Sequence, residues 1–176
     1  MMAPSPERNF IPVRIAALTV SDTRTAATDR SGDVLVQRIT EAGHTLVARE
    51  LLRDDADVIE TLLRRWIADS SVDAIISTGG TGITGRDVTP EAFTRVLEKQ
   101  IEGFAELFRM ISFGKIGPSA MLSRAVAGVA GGTYLFALPG SPGAVVDAWD
   151  ELLLPLLDSR NMPCNLVDLM PRLRER

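Results

Sequence analysis

The chain has 176 residues, of which 45% are hydrophobic and 24% are charged, and its formal net charge is −4. This length fits one domain with a normal core, and the scattered lysines and arginines form no basic stripe for nucleic acid. No apolar run is long enough to span a bilayer and no secretion signal is visible, so we predict a cytoplasmic protein without a membrane partner.

The chain has one cysteine and one histidine, which limits the chemistry available to it. Cys164 excludes an internal disulfide and a metal cage of several cysteines. His44 stands at the start of an apolar run with no nucleophile motif nearby, which argues against a Ser-His-Asp triad. We predict structural roles for both residues.

The first half of the chain alternates between apolar runs and helical spacing. Ser31 is predicted to cap the first helix, which Gly43 ends. The predicted elements are a strand at Arg14–Val20, a helix from Ser31 to Ala42, a strand at 44–52, a helix with apolar residues from Val58 to Ile67, and a strand at 73–78.

A glycine-rich run, Ser77 to Pro90, separates the two halves, and Thr89 is predicted to cap the helix that follows it. Gly131 and Gly132 mark a hairpin turn, and Ser141 is predicted to cap the last long helix. The second half thus contains a helix over 102–113 that breaks at Gly114, Gly117 and Pro118, strands at 125–129 and 134–138, and a helix with apolar residues from Val145 to Leu153 that Pro155 limits.

These elements predict one α/β domain over residues 13–165, after a flexible leader (1–12) and before a solvated tail (166–176). The fold class is a three-layer α/β/α domain with a mostly parallel central sheet and an appended antiparallel hairpin. Ligands bind beyond the carboxyl ends of strands in such sheets. Four segments meet there and predict one composite cleft: Ser21–Arg24, Asp54, Ser77–Pro90 and Leu138–Gly143.

The run STGGTGITGRDVTP predicts a phosphate site, because glycines let backbone amides approach an anion. Two familiar nucleotide motifs fail here. A dinucleotide fingerprint needs an acid at the next strand end, where Gln100 and Glu102 stand in a predicted helical stretch. A P-loop needs lysine and a hydroxyl, where Arg86 and Asp87 stand. The groups in the predicted cleft, which are backbone amides, arginines and carboxylates, favour phosphoryl or nucleotidyl transfer with Mg²⁺.

Four segments, STGGTGITGRDVTPEAF, EGFAELFRM, SRAVAGV and LPGSPGAV, resemble the MoaB/MogA family of molybdenum cofactor biosynthesis, whose fold also occurs in the gephyrin and plant Cnx G domains. The resemblance extends from Arg14 to Cys164, and GRDVTPEA, FRMISF and RNMPCN are nearer to MoaB. It implies that the chain binds molybdopterin and ATP and adenylylates the pterin phosphate with Mg²⁺, releasing pyrophosphate. It also implies a homotrimer or homohexamer.

The resemblance also implies roles for individual residues. Asp87 and Asp54 would be catalytic, and Asp87 would in addition hold Mg²⁺. Arg53 replaces a proline that often precedes the second acid, which leaves Asp54 and Asp55 both open as that acid. The implied nucleotide and substrate contacts are Gly79, Gly80, Thr81, Gly82, Ser21, Asp22, Ser123, Pro139, Gly140 and Ser141.

Structural alternatives remain open for the same residues. An acid before the second helix could be only a cap, Arg86 either binds phosphate or pairs with Asp87, and Ser141 could serve only as a cap. Gly79 and Gly80 could serve only a tight turn. A non-catalytic oligomer that binds pterin or nucleotide is therefore the alternative to an adenylyltransferase.

Overall fold

Six strands form one sheet in the computed structural model, which describes residues 4–175. The predicted leader and tail also include Met1–Ala3 and Arg176, which lie outside the described residues. The strands are β1 (Arg14–Val20), β2 (Thr45–Leu52), β3 (Ala74–Thr78), β4 (Lys99–Gln100), β5 (Val126–Ala130) and β6 (Thr133–Leu138). Their order is β2, β1, β3, β6, β5, β4. The first four of these are parallel, and β5 and β4 continue the sheet in antiparallel pairs.

Helices cover both faces of this sheet. They are α1 (Arg30–Glu41), α2 (Ala56–Ala68), α3 (Thr89–Val96), α4 (Glu102–Ile116), α5 (Pro142–Ala148), α6 (Leu154–Leu157) and α7 (Leu166–Leu169). A 3-10 segment, Gly117–Leu122, follows α4, and a π-helical turn, Trp149–Leu153, joins α5 to α6. Between residues 4 and 175, no helix combines the length and the apolar character needed to cross a bilayer.

The central strands are almost continuously apolar because each face of the sheet buries a separate core. On β1, Ile15 and Ala17 belong to the core under α1, α4 and α5, whereas Ala16 and Leu18 belong to the core under α2 and α3. The largest fully buried side chains include Trp149, Tyr134, Phe93, Phe108 and Phe136. The predicted three-layer α/β fold with a mostly parallel sheet is therefore confirmed.

The strand order explains where a cleft forms. β2 lies on one side of β1 and β3 lies on the other, so the chain leaves β1 toward one edge of the sheet and leaves β3 toward the opposite edge. In open α/β sheets this switch in direction leaves a crevice beyond the carboxyl ends of the strands. The segments after β1, β3 and β6 all emerge at that edge.

Two predicted helix caps are wrong. Asp29 caps α1 instead of Ser31, because its Oδ1 atom accepts a hydrogen bond from the Gly32 amide at 2.9 Å. Thr89 does not cap α3, since its Oγ1 atom is buried and has no hydrogen-bond partner within residues 4–175. Ser141 does cap α5, with its Oγ atom accepting from the Ala144 amide at 3.2 Å.

Two predicted boundaries also differ. α4 continues through Gly114 to Ile116 and ends at Gly117, whose φ of 60° and ψ of −144° are a backbone conformation that favours glycine. One internal glycine costs a helix only about 1 kcal/mol relative to alanine, which the long helix tolerates. Gln100 lies in the two-residue strand β4 rather than in a helix. The hairpin of β5 and β6 is confirmed, and Gly131 and Gly132 form its turn with φ values of 58° and 86°.

The chain ends make specific contacts with the domain. Arg8 forms two hydrogen bonds with Asp168, at 2.6 and 2.8 Å, and thereby joins the leader to α7. In the predicted tail, Val167 is buried in a core. His44 lies between the rings of Phe10 and Trp149, and burial lowers its pKa, which keeps the imidazole neutral.

Candidate active site

The glycine loop, residues 79–88 between β3 and α3, folds tightly over the end of β1. Gly79 and Gly80 have positive φ angles of 102° and 64°. A Cβ on Gly79 would collide with the carbonyl oxygen of Val20, and a Cβ on Gly80 would lie 2.6 Å from Asp54 Oδ1. Both glycines are therefore required by contacts within the chain, so a ligand is not needed to explain them.

Arg124 fixes the far side of this loop. Its backbone amide donates to the Thr81 carbonyl at 3.1 Å, its Nε atom to the Gly82 carbonyl at 2.6 Å, and its Nη2 atom to the Asp87 carbonyl at 2.8 Å. A further ion pair joins the guanidinium to Glu91. Through its backbone and side chain together, this one residue binds three carbonyls of the loop and the first turn of α3.

The loop amides have a different environment from the loop carbonyls. The Gly80 carbonyl accepts from the Thr89 amide at 3.0 Å, so the carbonyls of residues 80, 81 and 82 are all hydrogen-bonded. By contrast, the Gly80 and Thr81 amides donate to no atom in the described part of the chain. Adjacent backbone amides without partners form the concave donor pair that binds anions in many phosphate sites.

Asp87 is held in place by its own turn. Its Oδ2 atom accepts hydrogen bonds from the Thr84 amide at 2.9 Å and from the Thr84 hydroxyl at 2.7 Å. Burial alone would raise the pKa of this carboxyl, but the hydrogen bonds from Thr84 and from the Gly82 amide outweigh it and lower the pKa. Asp87 is therefore a charged and well-oriented carboxylate at neutral pH.

Arg86 pairs with Asp22, from the loop after β1, and not with Asp87. The Arg86 Nε and Nη2 atoms donate to the two Asp22 oxygens at 2.8 and 2.9 Å, and this contact lowers the pKa of the Asp22 carboxyl. Asp22 also accepts from the Asp54 amide at 3.3 Å. This ion pair connects the segments after β1, β2 and β3. The Arg86 side chain remains 68% exposed.

The structure separates the roles of Asp54 and Asp55. Asp55 caps α2, because its Oδ1 atom accepts from the amides of Asp57 and Val58 at 3.0 and 3.2 Å. The Asp54 carboxylate instead faces Gly80 and receives no side-chain hydrogen bond within residues 4–175. Burial raises its pKa, and the negative charges of Asp22 and Asp87 raise the pKa further. Asp54 is thus the acid of this pair that lies at the cleft.

A cavity of about 390 Å³ opens beside the glycine loop, between α4 and the start of α5. Of the predicted site residues, the cavity is lined by Gly80, Thr81, Gly82, Asp87, Ser123, Pro139, Gly140 and Ser141. The other predicted residues lie outside this lining: Ser21, Asp22, Asp54, Gly79 and Arg86. Asp54 and Gly79 adjoin it through Gly80. The candidate site therefore has a glycine-loop cavity and an adjacent acidic cluster of Asp22, Asp54 and Asp87.

Sequence reasoning missed several residues of this site. Arg124 binds the Gly82 carbonyl from 42 residues away, and although its segment SRAVAGV is part of the resemblance, no role for the arginine was predicted. The opposite cavity wall comes from α4, through Phe108, Ser112 and Ile116. Besides the predicted contact Ser123, Ser77 and Thr89 also have hydroxyls that are buried without a partner among the described residues. Of these, Ser123 lines the cavity and Thr89 lies beside Gly80.

The acids near the loop do not form a complete metal cage. No group of three or more His, Cys, Asp or Glu side chains within residues 4–175 is arranged to hold a metal ion. Asp54 and Asp87 are nevertheless close enough for the charge of one to raise the pKa of the other. A pair of carboxylates suits Mg²⁺ when phosphate oxygens and water complete the coordination.

Comparison with known proteins identifies the family of this site. A family model described as a probable molybdopterin binding domain matches residues 16–159, which include the whole cleft. The chain belongs to this molybdopterin-binding family. The resemblance inferred from the motifs is therefore confirmed.

Several similar family members are molybdenum cofactor biosynthesis B proteins. The protein of that name from Escherichia coli K12 is 46% identical over 156 residues, covering 89% of this chain and 92% of that protein. The Bacillus anthracis protein is 49% identical over 146 residues, covering 82% and 86%. A crystal structure of a molybdenum cofactor biosynthesis protein B superimposes with a TM-score of 0.85 at 42% identity, covering 96% of this chain and all of that one.

Proposed function

We infer that this family member acts in molybdenum cofactor biosynthesis, and we propose that it transfers the adenylyl group of ATP to the terminal phosphate of molybdopterin. The observation that carries the proposal is the pair of unpartnered amides at Gly80 and Thr81, within the described residues, with two coupled carboxylates, Asp54 and Asp87, beside them. Amide donors bind phosphate oxygens, and carboxylates bind the cation that accompanies them.

The reaction needs no protein nucleophile. An oxygen of the molybdopterin phosphate attacks the α-phosphorus of ATP, a new P–O bond forms, and the bond from the α-phosphorus to the β-phosphate bridging oxygen breaks. The electron pair of that bond leaves with pyrophosphate. Catalysis of this type consists of alignment and charge neutralisation. The cleft offers the groups for both tasks.

The residues fit Mg²⁺ as the accompanying ion. Asp54 carries a raised pKa because burial and two neighbouring carboxylates disfavour its charge, so a bound cation would relieve that repulsion. Asp87 is already ionised and oriented by Thr84. Asp54 and Asp87 would hold the ion, and the ion would neutralise the negative charge that builds up on the phosphate oxygens.

The other groups would position the two anionic reactants. The Gly80 and Thr81 amides would bind phosphate oxygens, while the Ser123 hydroxyl would satisfy its hydrogen-bonding capacity on a ligand in the cavity. Arg86, which is largely exposed, would exchange Asp22 for a phosphate group. Arg124 would keep the loop carbonyls turned away from the anions.

Pyrophosphate release from ATP and molybdopterin in the presence of Mg²⁺ tests this function. We expect turnover in the parent protein and a loss of at least about 100-fold in Asp87→Asn and Asp54→Asn, within the range for removal of a charge-stabilising group. Asp57→Asn is the matched control, because Asp57 is an exposed acid of α2 that pairs with Arg95. Equal activity in all four proteins would contradict the proposed roles of the two acids.

A non-catalytic pterin- or nucleotide-binding role is the second candidate, and the closed Arg86–Asp22 ion pair favours it. That pair neutralises the exposed cation of the loop, with two hydrogen bonds at 2.8 and 2.9 Å. Under this alternative, molybdopterin binds but no pyrophosphate is released. Asp22→Asn distinguishes the candidates, because it frees Arg86 to bind phosphate. Pyrophosphate release should then increase if the chain is an adenylyltransferase, and it should stay absent if the chain only binds its ligand.

We also propose that the chain forms a homotrimer or a pair of stacked trimers through α4 and the 3-10 segment after it. Met110, Phe113 and Met121 are 70%, 60% and 75% exposed, and they lie with Arg109 and Pro118 around one shallow apolar groove. An exposed apolar surface of this kind marks an interaction site. We expect mass photometry to show trimers or hexamers, and Phe113→Glu to shift them to monomers, whereas an unchanged mass would exclude this face.

A further inference from the structure

Thr89 carries a fully buried hydroxyl that has no hydrogen-bond partner among residues 4–175. Its backbone is fixed, because the Thr89 amide donates to the Gly80 carbonyl at 3.0 Å and Pro90 follows in the first turn of α3. The hydroxyl does not cap that helix. A buried hydroxyl without a partner destabilises the folded state, so the stability of the fold does not explain a hydroxyl at this position.

An acceptor that lacks a side-chain partner lies close to this hydroxyl. A Cβ placed on Gly80 would be 2.6 Å from Asp54 Oδ1, and Thr89 Oγ1 is nearer still to that point. The two oxygens are therefore less than about 5.2 Å apart, which is twice that distance. No side chain within residues 4–175 donates to the Asp54 carboxylate. A donor and an acceptor thus adjoin the same small space beside Gly80.

A small movement brings these two groups into a hydrogen bond. A hydroxyl bound to a carboxylate has an oxygen–oxygen distance of about 2.5–2.7 Å, so the two oxygens need to approach by at most about 2.7 Å. Rotation of the half-buried Asp54 side chain about its χ1 and χ2 bonds covers that distance. Val20 Cγ1 lies 3.1 Å from the same Cβ position, so an apolar methyl group closes the space on a third side. Apolar surroundings strengthen a hydrogen bond to a charged group.

The other acid of the cleft already has the arrangement that Asp54 lacks. The Thr84 hydroxyl donates to Asp87 Oδ2 at 2.7 Å, which orients that carboxylate. A side chain that binds a cation is commonly held by a hydrogen bond from a neighbouring group, and loss of that group typically weakens cation binding 10–100-fold. Thr89 is placed to do for Asp54 what Thr84 does for Asp87.

We propose that Thr89 is a positioning residue for Asp54. Its hydroxyl donates to one oxygen of the charged carboxylate and leaves the other oxygen for the Mg²⁺ that accompanies a bound nucleotide. Thr89 is 0% exposed and therefore acts only through Asp54, without touching the ligand. This inference rests on the proposed function for the identity of the ligand, but it holds whether or not the chain transfers the adenylyl group.

Calorimetric titration of the full chain with α,β-methylene ATP and Mg²⁺ tests the proposal without turnover, because the α–β bridge of this analogue resists cleavage. Thr89→Val keeps the shape of the side chain and removes the hydroxyl, so the affinity should fall at least about tenfold. Thr89→Ser keeps the hydroxyl and should restore most of the affinity. Thr94→Val is the matched control on the same helix, since the Thr94 hydroxyl donates to the Pro90 carbonyl at 2.8 Å, and its affinity should equal that of the parent.

Three further measurements separate positioning from a structural role. In excess chelator, the parent and Thr89→Val should bind the analogue equally, because the orientation of Asp54 then contributes nothing. In the Asp54→Ala background, Thr89→Val should have no additional effect on affinity with Mg²⁺. In calorimetric melts, Thr89→Val should keep the parental Tm or exceed it, since no hydrogen bond within residues 4–175 is lost. Thr89→Ser should melt lower, because it loses a buried methyl group.

Equal affinity of the parent and Thr89→Val with Mg²⁺, the same loss of affinity in the Asp54→Ala background, or a lower Tm for Thr89→Val than for Thr89→Ser would overturn the proposal. So would a parent protein that does not bind the analogue. If the protein binds the analogue through Thr89 and Asp54 but releases no pyrophosphate from ATP, the inference stands and the adenylyl transfer fails. If Thr89→Val releases pyrophosphate and binds the analogue like the parent, the adenylyl transfer stands and the role of Thr89 fails.

Discussion

Replacing Asp54 and Asp55 by alanine, one at a time, should separate the effect on stability from the effect on catalysis. Asp55→Ala removes two hydrogen bonds to the first turn of α2, at 3.0 and 3.2 Å. Loss of such a cap costs about 1 kcal/mol, which lowers Tm by about 3 °C in a domain of this size. Asp54→Ala removes a carboxylate whose charge is disfavoured by burial and by Asp22 and Asp87. Its Tm should therefore be unchanged or slightly higher, while pyrophosphate release is lost.

Calorimetric melting of the parent and both variants, together with the pyrophosphate assay, gives the comparison. The expected pattern is a less stable but active Asp55→Ala protein and a stable but inactive Asp54→Ala protein. If Asp54→Ala melts lower than Asp55→Ala, or if Asp55→Ala is the inactive one, the division of roles drawn from the hydrogen bonds is refuted.

Three further predictions concern the loop and its acids. In urea titrations, Gly79→Ala should lower the free energy of unfolding by about 3 kcal/mol or more, because the new Cβ would collide with the Val20 carbonyl at a position of positive φ. Gly85→Ala should change the free energy of unfolding little, because the space around Gly85 is open. Arg124→Lys should lower Tm and activity together, because an ammonium cannot bind the Gly82 and Asp87 carbonyls and Glu91 at once; a protein with parental Tm and turnover would disprove this. Because the pKa of Asp54 is raised above its ordinary value of 3.8, ionisation of this carboxyl destabilises the fold as the pH rises above 3.8. In calorimetric melts, Asp54→Asn should therefore be more stable than the parent at neutral pH. This gain in stability should vanish below pH 3.8.

Local patterns predicted the parts of the fold that local physics controls. Ser141 followed by Pro142 places a cap and a first turn correctly, because both preferences act within four residues. Gly131 and Gly132 predict the hairpin, since its two-residue turn requires positive φ at both positions. The apolar run of β1 is typical of a strand that is covered on both faces, and its residues do belong to two separate cores.

The parts that failed depend on distant contacts. Thr89 has the chemistry of a cap, yet its amide donates to the Gly80 carbonyl and its hydroxyl is buried beside the loop. The strand β4 has only two residues and exists through its pairing with β5. Arg124 acts on carbonyls 37 and 42 residues away. Such positions acquire their roles only when the chain has folded.

Arg124 connects the exposed apolar groove to the glycine loop. The arginine closely follows the 3-10 segment that carries Met121, and its amide and guanidinium hold the glycine loop through three carbonyls. The apolar groove and the glycine loop are therefore joined by a single residue, Arg124. We therefore expect a partner surface that displaces Met121 to displace the loop as well, so ligand affinity should change when the proposed trimer forms.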